Sequence, residues 1–198
     1  NADAFDDRVT WTLGNLFNTP DGVSNSDDEI LFEVIALVVD DALNQGGVVS
    51  QTNTATLTTA SSTSSGTVDV DIVEPELTIA KAVTSPASGF VDAGDTVIHQ
   101  LTIDHTMVSS ADAFNVIITD TLPAPDLSWI GDGTVVSTCP GLIIDSAAAP
   151  IIVFTIPQLD LLTDNCTISY NTLVENSAQP TQTLTNTAVM EYDSTPVF

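Results

Sequence analysis

The sequence predicts an all-β protein, immunoglobulin-like Greek-key β-sandwich modules in tandem, on three observations. Short runs of alternating apolar residues recur at regular spacing, with Gly, Pro or Asp turns between them. No run sustains a capped 3.6-residue apolar period, so helices are not expected. The phrase TNTA occurs twice, at 52–55 and 185–188, and each copy closes a similar block. The first block reads VTWTLGNL (9–16), IALV (35–38), TNTA; the second reads IVFTIPQL (152–159), NTLV (171–174), TNTA. A repeat of this length is domain-sized and not a solenoid coil.

Along the chain, 29–39 (EILFEVIALVV) and 49–58 (VSQTNTATLT) read as strands joined by the turn-rich DDALNQGG. Residues 59–67 (TASSTSSGT) read as a Ser/Thr linker, and VDVDIVEPEL leads into the next module. Strands are then expected at 76–83, 96–104, 113–121, 133–138, 150–156, 166–174 and 183–191. Seven short strands with such turns suit an immunoglobulin-type sandwich. A parallel α/β sheet is excluded, because no helix separates the strands. Residues 1–73 therefore read as the C-terminal half of a first sandwich. Residues 74–198 read as an essentially complete second one with the start of an exit linker. The chain is expected to be an interior slice of a longer string. The apolar face of the first half (Trp11, Leu13, Phe32, Val34, Ala36) needs cover, from preceding repeats of the same polypeptide or from a strand donated by another copy.

An apolar content of 43% supports real cores, but the charge balance is extreme. Against 27 acidic residues stand only Arg8 and Lys81, a formal net charge of −25. Phosphate backbones and anionic membrane surfaces are repelled by such a chain, so nucleic acid is excluded as a partner. No apolar run approaches the ~18 residues that cross a bilayer, so membrane insertion is not expected. The first residues, NADAFDDR, lack the basic region and apolar core of a signal peptide. The acidity fits a hydrated extracellular surface. Cys139 and Cys166 fit no zinc spacing; a disulfide inside the second module suits an oxidising exterior, with two buried thiols as the alternative.

Four ordered motifs carry a family resemblance: VEPELTIAKAV (73–83), VDAGDTVIHQLTI (91–103), NVIITDTLP (115–123) and LTNTAVMEY (184–192). Together they resemble the conserved-repeat domain of large tandem-repeat bacterial and archaeal surface proteins. The match covers 74–193, and 1–73 resembles the second half of a preceding copy. The resemblance implies an immunoglobulin-like module of an adhesin-like or cell-wall protein at the cell surface, in a family mostly of uncharacterised function. His105 departs from it, standing where that family commonly has Asn.

Strand alternation singles out one constellation. In ELTIAKAV, Leu77, Ile79, Lys81 and Val83 share a face; in NVIITD, Val116, Ile118 and Asp120 do; in LTNTAVM, Leu184, Asn186, Ala188 and Met190 do. Each apolar face thus carries one polar residue, and the sole lysine of an acidic chain points inward. A desolvated lysine tends toward the neutral, nucleophilic amine, and a buried aspartic acid tends to keep its proton and polarise a neighbouring carbonyl. Two readings are open. Either Lys81 attacks the Asn186 amide beside Asp120, losing ammonia and leaving an intramolecular isopeptide bond between neighbouring terminal strands. Or Lys81 and Asp120 form a buried ion pair hydrogen-bonded to Asn186. Asn53 holds the matching place in the first TNTA.

Other candidates carry less chemistry. Asp40, Asp41, Asp71 and Glu74, with Asn44, Asp69 and Glu76, supply oxygens suited to Ca²⁺ or simply form a solvated acidic rim. His99 reads as an inward strand residue and His105 as a turn residue. Asn165-Cys166-Thr167 is a formal glycosylation sequon. No nucleophile-elbow, zinc-protease or phosphate-loop motif is present, so enzymatic activity is not expected beyond self-crosslinking. The function that results is a structural module of a long extracellular surface protein, adhesin stalk or filament, assembled end to end. The alternative is a glycan- or protein-binding module acting through its loops, with Trp129 as its aromatic platform.

Overall fold

The computed structural model describes residues 8–17, 21–26, 29–38, 49–162 and 165–196. Its chain divides into two compact units, 1–39 and 40–198. In the first, no described residue is in a strand, and Trp11 pairs with Phe32, with ring centroids 5.2 Å apart. The strand expected at 29–39 does not form over 29–38, and Trp11, Leu13, Phe32, Val34 and Ala36 are all exposed. Apolar content alone does not make a strand, since its N–H and C=O groups need a partner ladder. The partner expected for it, β1 (Val49–Thr58), pairs instead along its whole length with β2 (Thr63–Ile72).

That hairpin corrects the linker reading of 59–67. Thr and Ser pack readily on a pleated surface, and the tight turn between the strands is held by its own side chains. Thr59 N–H reaches Ser62 O at 2.8 Å, and Ser62 N–H reaches Thr59 Oγ1 at 3.0 Å. Every described residue from 50 to 71 is nevertheless exposed.

The core lies in the following sandwich. Its first sheet orders β3 (Leu77–Ser85), β4 (Thr96–His105), β10 (Cys166–Val174) and β6 (Leu127–Trp129), with β7 (Val136–Ser137) also on β10. The second orders β11 (Thr187–Asp193), β5 (Ala113–Thr121), β9 (Ile151–Leu159) and β8 (Ile143–Asp145). All described pairings are antiparallel. Burial along CTISYNTLV alternates strictly, with Cys166, Ile168, Tyr170, Thr172 and Val174 inward. The facing sheet contributes Val116, Ile118, Ile152, Phe154 and Ile156, each fully buried. A buried side chain of this size contributes roughly 1.5–3 kcal/mol, so a single cluster of them holds the two sheets together. The expected core residues take their expected parity: Leu77, Val97, Leu101, Val116, Ile118 and Ile168 are buried, and Ile79, Leu184 and Ala188 are half-buried. The fold class is all-β, as the alternation predicted.

The strand expected at 133–138 is largely a loop. It holds a 3-10 turn at Asp132–Thr134 and the two-residue β7, while β6 and β8 form where no strand was expected. Within β5, Asn115 takes φ 47° opposite Pro157, where the ladder skips a pair. Proline has no N–H to donate, and asparagine tolerates the left-handed region, so the irregularity sits where it costs least.

Strand directions set the module's mechanics. β3 begins, and β11 ends, at the same pole, where Leu77 N–H donates to Tyr192 Oη at 3.3 Å. The incoming segment is tied there too: Glu74 N–H to Ser110 Oγ at 3.0 Å and Glu76 N–H to Ser109 Oγ at 2.9 Å. Both terminal strands are also sheet edges, each paired on one side only.

Candidate functional site

Lys81, Asp120 and Asn186 come together in the sandwich, and Tyr170 joins them. Lys81 lies mid-way along β3, opposite Leu101 of β4. Its parity turns it inward, leaving only 16% of the side chain exposed. Asp120, on β5, is fully buried and forms an ion pair with Lys81 through Oδ2. The same Oδ2 accepts the Tyr170 hydroxyl from β10. Asn186, the residue before β11, donates from Nδ2 to Tyr170 Oη at 3.0 Å. A continuous chain therefore runs from Lys81 Nζ through Asp120 and Tyr170 to Asn186 Nδ2.

This corrects the expected layout in one respect. Lys81 and Asn186 were expected on neighbouring strands, but β3 belongs to one sheet and Asn186 precedes an edge strand of the other. They are linked across the sandwich interior by Asp120 and Tyr170, because both faces point into the same core. The sequence reasoning missed Tyr170, although its signal was present. It shares parity with Cys166 and Ile168, and a buried phenol requires a hydrogen-bond partner.

Two acceptors in this pocket have no donor, Asp120 Oδ1 and Asn186 Oδ1. An unpaired buried acceptor is costly, so these two oxygens stand apart from the bonded groups around them. Desolvation lowers the Lys81 pKa below the usual ammonium value, opposed by its hydrogen bond and charge interaction with Asp120. Burial, with the adjacent Asp120 charge, raises the Tyr170 pKa well above the ordinary phenol range, so that hydroxyl keeps its proton.

An aromatic shell closes around the chain. Tyr170 lies 5.2 Å from His99, 5.3 Å from Trp129 and 5.6 Å from Phe154 between ring centroids, and Lys81 Nζ sits 5.7 Å from the Tyr170 ring centre. His99 is buried and shares a 3.0 Å hydrogen bond with Thr172 Oγ1. Its pKa falls to about 4, chiefly by desolvation and then by the Lys81 charge, so it is a neutral wall of the site at pH 7. Trp129 is half-buried against Phe154 and Tyr170, with its indole N–H on Asp132 Oδ1 at 3.2 Å. Its ring thus packs on the core from β6, half-buried rather than standing free on a loop.

The remaining candidates lie apart from this cluster. Cys139 and Cys166 are joined as a disulfide that ties the loop after β7 to the start of β10. Asp40, Asp41 and Asn44 fall outside the described residues. Asp71 is exposed on β2, Glu74 is half-buried at the base of β3, and no group of three metal-ligating side chains forms among the described residues. Asn53 is exposed on β1 opposite Val68. His105 is held by Ser109 Oγ at 2.7 Å and Leu159 O at 3.1 Å, a structural position at the base of the sandwich.

No protein-family model matches the chain, and no curated protein sequence matches it. Solved structures of surface-protein domains resemble it in part. The pilus backbone RrgB from Streptococcus pneumoniae is 13% identical, with TM-score 0.43, over 62% of this chain and 32% of that one. A backbone pilin of Streptococcus pyogenes is 13% identical, with TM-score 0.39, over 64% and 36%. The collagen binding domain of surface protein RspB from Erysipelothrix rhusiopathiae is 12% identical, with TM-score 0.35, over 77% and 52%. The chain thus spans about a third of the length of the two pilins. Likeness at this level does not carry a function from them to this chain.

Proposed function

We propose that this chain is a structural segment of an extracellular surface protein, and that residues 77–193 form a load-bearing module closed by an amide between Lys81 and Asn186. The observation that carries the reading is the placement of the only lysine. In a chain of net charge −25 it would gain most from an exposed position among carboxylates. Instead it lies inside, paired to a buried aspartate one tyrosine away from an asparagine with an unpaired carbonyl.

The chemistry balances without a co-reactant. Lys81 passes a proton to Asp120, its neutral Nζ attacks Asn186 Cγ, the Cγ–Nδ2 bond breaks, and ammonia leaves. The mechanical logic follows from strand direction. A chain that enters and leaves at one pole pulls apart two edge strands, which peel one hydrogen bond at a time. An amide between residues 81 and 186 would remove everything between them from that path. The same geometry constrains an end-to-end string: pole-to-pole stacking through the terminal strands would need them to leave at opposite poles. The partners this reading needs are adjacent repeats of one polypeptide or further copies of the chain.

Intact mass of the denatured protein tests it. The expected mass is lower than that of the disulfide-bonded sequence by one ammonia, with a fragment joining peptides around residues 81 and 186. Full sequence mass would leave the buried ion pair as the whole account of the site.

A further inference from the structure

The crosslink reading leaves one step unassigned, the delivery of a proton to the departing amide nitrogen. An amide ion is far too basic to leave alone, so Nδ2 must be protonated as its bond to Cγ breaks. Lys81 and Asp120 are placed to exchange a proton with each other. The contact at Asn186 Nδ2, however, is made by the Tyr170 hydroxyl, at 3.0 Å. That hydroxyl uses both of its capacities, accepting from Nδ2 and donating to Asp120 Oδ2. The atom that must gain a proton and the atom that receives one from lysine therefore stand on two sides of a single oxygen. The tyrosine is fully buried, and its ring is walled by His99, Trp129 and Phe154.

We propose that Tyr170 is a catalytic residue of the self-crosslinking reaction, a relay carrying a proton from the Asp120 carboxyl to the leaving nitrogen of Asn186. This rests on the crosslink reading. The steps conserve atoms and charge. Lys81 ammonium gives one proton to Asp120, and Nζ bonds to Cγ, placing negative charge on Oδ1. The Asp120 proton passes to Tyr170 Oη as the Tyr170 proton passes to Nδ2. The Cγ–Nδ2 bond breaks, ammonia departs and the carbonyl reforms. The new amide nitrogen then returns its surplus proton to Asp120, leaving tyrosine neutral and the carboxyl protonated. Because burial holds the phenol protonated, the two transfers through Oη are coupled and no tyrosinate accumulates.

The test follows ammonia loss by intact mass in full-length chain freshly made by cell-free synthesis. Tyr170→Phe should fold, judged by its β circular dichroism and intact Cys139–Cys166 bond, and should lose ammonia about a hundredfold or more slowly than wild type, the scale of a lost general acid. Equal rates would overturn the relay while leaving the crosslink intact. If the phenylalanine variant does not fold, chain made with 3-fluorotyrosine decides. A more acidic phenol should change the rate, whereas an unchanged rate would reduce Tyr170 to a spacer. Wild-type chain that never loses ammonia would bring down the crosslink and the relay together.

Discussion

The same four residues, TNTA, stand at 52–55 and at 185–188, and the molecule treats them differently. Asn53 is exposed on a two-stranded hairpin, opposite Val68, and its neighbour Thr52 bonds outward to Asp69 Oδ1 at 2.6 Å. Asn186 is half-buried, with its amide on Tyr170 and its carbonyl unpaired. What differs is the surroundings, since among the described residues no second sheet covers β1, while residue 186 faces β5 and β10. A sequence phrase can therefore repeat without its site repeating. The proposed chemistry depends on Lys81, Asp120 and Tyr170, which have no counterparts around Asn53 among the described residues.

Removing the carboxylate has the largest expected effect. Asp120→Ala should abolish ammonia loss and destabilise the sandwich by about 3–5 kcal/mol, because a half-buried ammonium and a buried phenol lose their partner together. Chemical denaturation, read with intact mass, checks both. A stable, crosslinked Asp120→Ala would refute the role given to the pair.

Next comes the contrast between the two units. Phe154→Ala opens a void where the structure is fully packed, and should cost about 3–5 kcal/mol. Trp11→Ala removes a larger side chain that is 49% exposed, and should shift the midpoint by no more than about 0.5 kcal/mol. Similar losses at both positions would mean that residues 8–38 share in the stability of the sandwich.

Legibility in the sequence followed the same division. Strands flanked on both sides, β5 and β10, match their expected bounds to the residue, because burial on one face forces alternation, strict over all nine positions of β10 and from Val116 onward in β5. The two- and three-residue strands β6, β7 and β8 were not, since a period of two has no meaning over so short a run. The run at 29–39 shows a strand's composition but forms none over 29–38, because apolar content says nothing about whether a ladder partner exists. The Ser/Thr stretch was under-read because those residues serve linkers and strands equally well. Parity alone placed Lys81, Asp120 and Asn186 inward. It could not show that Asn186 belongs to the opposite sheet, which depends on how β10 crosses to β11.

His99 gives a pH test with a definite sign. Its folded pKa, about 4, lies below the ordinary 6.5, owing first to desolvation and then to the Lys81 charge. The unfolded chain therefore binds a proton first as pH falls, and the stability from this residue, complete above about 6.5, drains away toward pH 4. The loss should approach about 3 kcal/mol, at 1.4 kcal/mol per pH unit. His99→Gln should flatten the profile in that window relative to wild type. Parallel profiles would show that the buried imidazole is not what titrates. Amide formation would remove the Lys81 charge but not the desolvation, so a crosslinked chain should keep the sign with a smaller amplitude.

The smallest expected effect concerns which asparagine the proposed bond would use. Lys81 is the only lysine, so ammonia lost to a side-chain amine identifies the nucleophile but not the amide it attacks. Both TNTA asparagines satisfy the sequence pattern. Asn186→Ala should leave the full mass, because the carbonyl carbon next to Tyr170 is gone. Asn53→Ala should change neither the ammonia loss nor the denaturation midpoint beyond about 0.5 kcal/mol, since its side chain lies on an exposed strand face. The reverse pattern, with ammonia retained only in Asn53→Ala, would move the acceptor to the hairpin. It would require β1 to reach the Lys81 pocket in place of residue 186, and the Tyr170 contact would then be an ordinary buried hydrogen bond.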